Sequence, residues 1–355
     1  MARRAASARL SRQEALRLYE EADLVDLASR ADEACRRLHG DRARTFAVDR
    51  NINFTNICEC RCRFCAFWRA PESPEAYVLD FETISEKIRE ALALGATHIL
   101  AQGGVHSGLD LEFYERMLGA VRDRFGVWMH ALSPPEVAAL ARREGFSVRR
   151  VLERLRAAGL ASLPGGGAEI LSDRVRRLIS PRKCSAGEWL AVMREAHALG
   201  LATSATMMFG HIEMPTERTE HLLRLRDLQD ETGGFQSFIA WPFQAVNTDL
   251  ARSGDLGTGW RPATGAEYLR LVATARLVLD NIPNVQASWV TMGPRIGQTA
   301  LHFGANDLGS TMIEENVVSA AGCAHRLARG DLERLIREAG FEPVQRDCTY
   351  RPVPR

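Results

Sequence analysis

Four of the eight cysteines fall within one short run, Cys58-Glu59-Cys60-Arg61-Cys62-Arg63-Phe64-Cys65. Cys58, Cys62 and Cys65 have the spacing C-x3-C-x2-C, with Phe64 just before the third. Thiolates are soft ligands and select zinc, copper(I) or iron–sulfur clusters. Structural zinc takes four ligands, commonly as two pairs. No second pair is present, because Cys184, Cys323 and Cys348 stand alone and no H-x3–5-H follows. A three-thiolate set suits a [4Fe–4S] cluster that leaves one iron open to a non-protein ligand. Cys60 lies two residues from both Cys58 and Cys62 and could compete as a ligand in an extended loop. The reading of another class is a zinc-stabilised barrel without catalysis; a brown iron–sulfur absorbance after reconstitution separates the two.

A strand must deliver this loop. Residues 45–54 carry Phe46, Val48, Ile52 and Phe54 and read as that strand. Strand and helix then alternate: strands over 97–101, 127–131, 161–163, 202–209, 236–243, 284–290 and 304–308, helices over 83–94, 111–125, 148–158, 187–199, 216–232, 266–279 and 297–303. A helix over 331–339 and a proline-bearing tail follow. About eight strands alternating with helices predict an α/β fold, a parallel (β/α) barrel of TIM type. A six-unit open barrel with a C-terminal cap is the alternative. No G-x-G-x-x-G follows a strand, which weighs against a doubly wound sheet. The expected division is an N-terminal helical extension over 1–43, a barrel core over 44–310, and a C-terminal helical cap and tail over 311–355. Ser11 and Glu14 form a capping box that opens two helices over 15–38, divided near Asp23.

In such barrels chemistry sits on the loops after the strands. Unusual residues gather there: Gln102-Gly103-Gly104; His130, Ser133 and Glu136; Gly165-Gly166-Gly167-Ala168-Glu169; Thr206, Met208, His211 and Glu213; Trp241 and Gln244; Ser288 and Trp289; Asn306, Asp307 and Ser310. Plain readings stand beside these. His98 and His197 read as structural, Met207 and Met208 as packing. Arg174, Arg176 and Arg177 with Arg182 and Lys183 form either a solvated helix face or contacts to an anionic carboxylate.

Lys+Arg 46 against Asp+Glu 45 gives no reason to expect nucleic acid or an anionic membrane as partner. The basic start, with Arg3, Arg4, Arg9 and Arg12, lacks the apolar run of a signal peptide. No stretch of 18 uncharged apolar residues exists, so no membrane helix is expected. Bunched cysteines beside basic residues are unlike a disulfide framework, and a cytoplasmic location is expected.

The cysteine spacing resembles the radical S-adenosylmethionine (SAM) signature. Further stretches run in one order: Asp49-Arg50-Asn51-Ile52-Asn53-Phe54-Thr55-Asn56, Ser133-Pro134-Pro135-Glu136, Pro164-Gly165-Gly166-Gly167-Ala168-Glu169, Gln286-Ala287-Ser288-Trp289-Val290 and Phe303-Gly304-Ala305-Asn306-Asp307. Together they resemble the radical SAM dehypoxanthine futalosine cyclases (cyclic dehypoxanthinyl futalosine synthases) of the futalosine route to menaquinone. Aminofutalosine synthase and the radical SAM proteins that make the deazaflavin FO share the layout. The resemblance implies a [4Fe–4S] cluster on Cys58, Cys62 and Cys65, with SAM as cofactor. It implies a 5′-deoxyadenosyl radical that takes the ribose C4′ hydrogen, and a reducing partner of flavodoxin or ferredoxin type. On this resemblance Phe64, Gln102, Gly103, Gly104, Ser133 and Glu169 are expected at SAM. Trp68, Trp241, Ser288 and Asn306 are expected at the nucleoside, and Glu213 or His211 as the base for ring rearomatisation. An apolar lining of Phe67, Trp68, Trp241, Phe243 and Trp289 would shield the radical. The sequence departs from the cyclase pattern at Trp68, His106, Ala245 and Met292. These departures leave open a diverged paralogue acting on a related nucleoside, with aminofutalosine synthase as the nearest alternative.

Overall fold

The computed structural model describes residues 9–354; the basic lead before Arg9 lies outside them. Its strands are β1 (Ala43–Ala47), β2 (Asp49–Ile52), β3 (His98–Ala101), β4 (Trp128–Ala131), β5 (Leu160–Leu163), β6 (Ala202–Phe209), β7 (Phe235–Pro242), β8 (Asn284–Gln286), β9 (Asp307–Ser310) and β10 (Glu342–Gln345). The helices are α1 (Arg12–Glu21), α2 (Leu24–His39), α3 (Phe81–Ala93), α4 (Leu111–Phe125), α5 (Pro134–Glu144), α6 (Val148–Ala158) and α7 (Asp173–Ile179). They continue as α8 (Ala186–Ala198), α9 (Pro215–Thr232), α10 (Asp249–Arg252), α11 (Gly265–Val278), α12 (Trp289–Met292), α13 (Pro294–Ala300) and α14 (Arg329–Glu338).

All named strands pair in parallel, in the order β10-β1-β9-β8-β7-β6-β5-β4-β3-β2. The two ends of that order meet, because β1 and β2 are halves of one extended run broken at Val48. One edge of the run serves β9 and its extension: Thr311 N–H donates to Ala47 O, and Asn51 N–H to Ile313 O. The other edge is shared. Its lower half takes β10, through Glu342 N–H to Arg42 O and Arg346 N–H to Phe46 O. Its upper half takes β3, through Thr97 N–H to Val48 O and Gln102 N–H to Ile52 O. The result is an eight-stranded parallel barrel with β10 wedged into the seam beneath.

Period-2 alternation splits each strand between two environments. Outward residues such as Ile52, Ile99, Ala101, Met129 and Ala131 are buried against the helices. Inward positions carry Asn51, His98, His130, Ser162, Ser204, Thr206 and Gln286. Branched apolar residues ordinarily fill a barrel of this kind. This interior mixes those polar groups with Leu100, Met208 and Ile239 and leaves a chamber.

The N-terminal helices form as their caps predict. Ser11 and Glu14 exchange both capping-box bonds, and Asp23 accepts from Val25 and Asp26 N–H to start α2. Three local expectations differ, and the arginine run is helical only in part. Residues 284–290 give only the short β8, after which Ser288 opens α12. Ser133-Pro134-Pro135-Glu136 begins α5, with proline in the first helical turn where its missing N–H costs nothing. Arg174, Arg176 and Arg177 lie on α7, while Arg182 and Lys183 follow it. The tail holds β10, whose Pro343 is tolerated because the strand pairs on one side only.

Candidate functional site

The cysteine loop is tied down on several sides. Cys58 N–H donates to Arg69 O (3.2 Å), Glu59 N–H to Val105 O (2.8 Å), and Arg63 N–H to Ile179 O at the end of α7 (2.8 Å). Asn56 fastens the return of the chain, donating to Glu75 O (2.8 Å) and accepting from Tyr77 N–H (2.9 Å). Gly104 lies so close that a Cβ there would overlap the Ile57 carbonyl and the Cys58 side chain. Val105 N–H donates to Cys58 Sγ (3.3 Å). The Cys60 thiol and this amide favour the Cys58 thiolate and draw its pKa down to about 6 against the effect of burial. Burial pushes Cys62 up to about 12 and raises Cys65 as well.

Three free thiols, Cys58, Cys62 and Cys65, thus open into one cavity. Among the described residues, no three Cys, His, Asp or Glu side chains are grouped as a single metal ion requires. A cubane cluster takes one thiolate per iron corner and needs no such grouping. The donor set, the loop's fixed path and the close approach allowed by Gly104 fit a [4Fe–4S] cluster. Cys60 is buried beside Cys58 and borders the same space.

The cavity measures about 430 Å³ and runs from the cysteine loop down the barrel axis to the C-terminal tail. Of the residues expected at SAM, Phe64, Gln102, Gly103, Gly104, Ser133 and Glu169 all border it, as do Trp68, Trp241 and Ser288. Phe67, Phe243 and Trp289 complete an aromatic wall. Gly165 and Gly167 admit no side chain: a Cβ would overlap Ser204 O at the first and the Pro135 ring at the second. Buried Arg176 holds this glycine loop, donating to Gly167 O (3.0 Å), Ala168 O (2.7 Å) and Cys184 O (2.9 Å). It is a structural clamp, which neither reading of the arginine run supplied.

Lys183 and Glu136 complete the rim. Lys183 Nζ lies 2.7 Å from Glu169 Oε1 and 5.0 Å from the centre of the Phe64 ring, beside the cysteines. Glu169 is buried and Lys183 half-buried in the cavity wall, so the lysine is no solvated surface charge. Glu136 accepts from Ser133 Oγ (2.5 Å) and from Gly103 N–H (3.3 Å). Burial pushes its pKa up to about 8, against the pull of those two donors. The signal for Glu136 was its place one turn into a helix that begins at a strand end.

Three expected residues do not reach the cavity. Glu213 is enclosed behind β6. Its carboxylate accepts from Gly210 N–H (2.5 Å), His211 N–H (3.0 Å) and Arg218 Nε (2.7 Å). Burial opposes ionisation, yet His211 and Arg218 hold the pKa down to about 2. His211 Nδ1 lies 3.0 Å from Glu213 Oε2 off the hydrogen-bond line, while Nε2 meets Met208 O (3.1 Å). A carboxylate so saturated is a poor proton acceptor, and this pair fixes the turn into α9. Asn306 accepts from Arg276 (2.7 Å) and Val285 N–H (2.9 Å) and donates to Asn284 (2.9 Å), so its amide is spent on the barrel wall.

The floor of the cavity is polar. His98 Nε2 lies 3.5 Å from Asp49 Oδ2. His130 Nδ1 lies 2.7 Å from Ser162 Oγ, which also receives Trp128 Nε1–H (2.8 Å) and has Cys348 Sγ at 3.5 Å. Below, Arg346 grips Asp307 through two nitrogens (2.6 and 3.0 Å), and the Tyr350 ring lies 3.9 Å from its guanidinium carbon.

Comparison with known proteins bears on this site. The radical SAM superfamily pattern matches residues 52–225, and the CofH/MqnC C-terminal region matches 232–355. The cyclic dehypoxanthine futalosine synthase of Halalkalibacterium halodurans is 45% identical over 97% of this chain and 92% of its own. That of Streptomyces coelicolor is 43% identical over 98% and 86%. A 5-amino-6-(D-ribitylamino)uracil–L-tyrosine 4-hydroxyphenyl transferase of Methanopyrus kandleri is also 43% identical, over 91% and 88%. Among solved structures, methylornithine synthase (PylB) superposes with a TM-score of 0.71 at 17% identity, covering 95% of this chain and 94% of that one. The hydrogenase maturase HydG of Carboxydothermus hydrogenoformans gives 0.76 at 16%, covering 97% and 78%. These two likenesses speak to the fold.

Proposed function

We propose, for a chain that belongs to the radical SAM superfamily and to one family with the cyclic dehypoxanthine futalosine synthases, that it cyclises dehypoxanthine futalosine. The observation that carries this reading is the three-thiolate loop opening into an aromatic-walled chamber, in a chain 45% identical to such a synthase. Cys58, Cys62 and Cys65 would hold a [4Fe–4S] cluster, and Gln102, Gly103, Gly104, Glu169 and Lys183 the SAM beside it. Bound there, the reduced cluster and SAM supply a primary carbon radical.

What the chain's own residues contribute is confinement. Phe67, Trp68, Trp241, Phe243 and Trp289 exclude water and hold the ribose C4′–H within reach, where placement governs the rate. Cyclisation onto the aromatic ring ends with loss of one electron and one proton. Glu136 takes that proton: its carboxyl faces the chamber, is positioned by Ser133 Oγ and Gly103 N–H, and has a proton affinity near neutrality. The outward electron transfer and the initial reduction call for a small redox protein of flavodoxin or ferredoxin type.

The test is anaerobic reconstitution followed by incubation with SAM, reductant and dehypoxanthine futalosine. Free 5′-deoxyadenosine together with a product lighter by two hydrogens is expected in the mass spectrum. SAM cleavage with unaltered nucleoside removes the assignment. The second reading, 4-hydroxyphenyl transfer, rests on the 43% identity to the Methanopyrus kandleri enzyme. Tyrosine and 5-amino-6-(D-ribitylamino)uracil in the same assay decide it.

A further inference from the structure

The floor of the chamber is built for something other than SAM. Gln102 stands at the rim, and Leu100, two residues earlier on β3, is the register partner of His130 on β4, which is in turn the partner of Ser162 on β5. These inward residues lie a layer below the cysteine loop, and Cys348 and Tyr350 of the tail close the space beneath them. A barrel gains stability by filling such positions with branched apolar side chains. Here they carry an imidazole and a hydroxyl in a fixed geometry.

The hydrogen bonds fix the ring. Indole Nε1–H is a donor only, so Ser162 Oγ accepts from Trp128 (2.8 Å). Ser162 Oγ also lies 2.7 Å from His130 Nδ1 and 3.5 Å from Cys348 Sγ. Burial, reinforced by His98 and Arg346, pushes the His130 pKa down to about 3 against the pull of Asp49 and the Ser162 backbone, so the ring is neutral. With Nδ1 held by Ser162, Nε2 is the nitrogen left for another partner. Among the described residues Nε2 has no protein partner, and the ring borders the cavity.

The surroundings choose among partners. Asp49 nearby stays ionised: burial works against it, but His98, Ser310 and Arg346 prevail. The charge of Arg346 is already matched by Asp307. A neutral ring calls for an uncharged partner, and a hydroxyl, which both donates and accepts, meets Nε2 whichever ring nitrogen carries the proton.

We propose that His130, oriented by Ser162, forms a substrate subsite on the chamber floor whose Nε2 hydrogen-bonds a hydroxyl of the nucleoside-derived substrate. This rests on the function proposed above. It makes His130 a specificity residue and Ser162 its positioning residue.

The test is a KM-against-kcat comparison on reconstituted holoenzyme with dehypoxanthine futalosine. His130→Leu should raise KM about tenfold, as losing one such hydrogen bond does, with kcat nearly unchanged. His130→Gln, which keeps an N–H donor, should recover most of the loss. Ser162→Ala frees the ring and should raise KM about threefold, part of that same bond. SAM cleavage without nucleoside should stay at the wild-type rate in all three. A wild-type KM in folded His130→Leu overturns the subsite. If that variant does not fold, Ser162→Ala decides, and an unchanged KM there overturns it equally. Wild-type enzyme that cleaves SAM but leaves dehypoxanthine futalosine intact instead refutes the function reading, and the two failures are told apart by that control.

Discussion

Replacing Glu213 by Gln separates a structural carboxylate from a catalytic one. The side chain is fully enclosed, bonded to Arg218 and two backbone amides, with the His211 ring 3.0 Å away. Its pKa of about 2 lies well below the ordinary 4.5. That difference is worth about 3 kcal/mol in favour of the folded state, close to the about 3–5 kcal/mol seen when one partner of a buried ion pair is removed. Unfolding entropy of about 2.1 cal/mol/K per residue over 355 residues converts this to a fall in Tm of about 4 °C or somewhat more. The sign with pH follows from linkage. A depressed carboxyl pKa stabilises fully above the unfolded value and ceases to do so as pH falls through the folded one. The wild type therefore loses this increment between pH 4.5 and about 2, while Glu213→Gln lacks it throughout. Scanning both metal-free proteins from pH 7 downward, the Tm gap should narrow to nothing. Cyclisation per folded molecule should be unaffected, because Glu213 does not border the chamber. A variant with wild-type Tm and no cyclisation would refute this and restore Glu213 as the base.

Gly104→Ala should cost the protein its cluster. The new Cβ overlaps Ile57 O and the Cys58 side chain, so the loop must shift, and iron analysis after reconstitution should return a small fraction of wild type. Glu136→Gln should slow cyclisation about 10²–10⁴-fold, the usual share of one proton-transfer group, while SAM cleavage continues. In the wild type the nucleoside-dependent rate should climb with pH toward about 8 as the carboxyl becomes able to accept, and a flat profile would exclude it. Lys183→Met leaves Glu169 buried without its cation. SAM affinity should drop about 10–100-fold, the worth of a charge-assisted hydrogen bond, in equilibrium dialysis of the reconstituted protein.

The parts legible in the sequence were those governed by local pattern. The strand–helix alternation, the caps at Ser11 and Asp23, and the cysteine loop after the first strand are set by neighbours a few residues away. What escaped depends on partners far along the chain. Glu213 looks like a strand-end acid until Arg218 and the surrounding burial are seen. Asn306 looks available until Arg276 and Asn284 claim both ends of its amide. Lys183 belongs to a basic run, and only folding turns it inward onto Glu169. Two misses had local signals. Ser133-Pro134-Pro135-Glu136 is a helix start by its proline in the first turn, and Pro343 disguised a strand that tolerates it at the sheet's edge.

The seam at β1 has a temporal consequence. Its lower edge pairs with Glu342, Pro343, Val344 and Gln345, far along the chain from it. At about 5–20 residues per second, the roughly 300 residues between Ala43 and Glu342 take about 15–60 s to leave a ribosome. Throughout that interval the first strand offers bare N–H and C=O groups below Val48, an edge open to other chains. The floor also lacks Arg346, Cys348 and Tyr350 over the same interval. A nascent chain without them is a sleeve open at both ends, and their arrival turns it into a vessel.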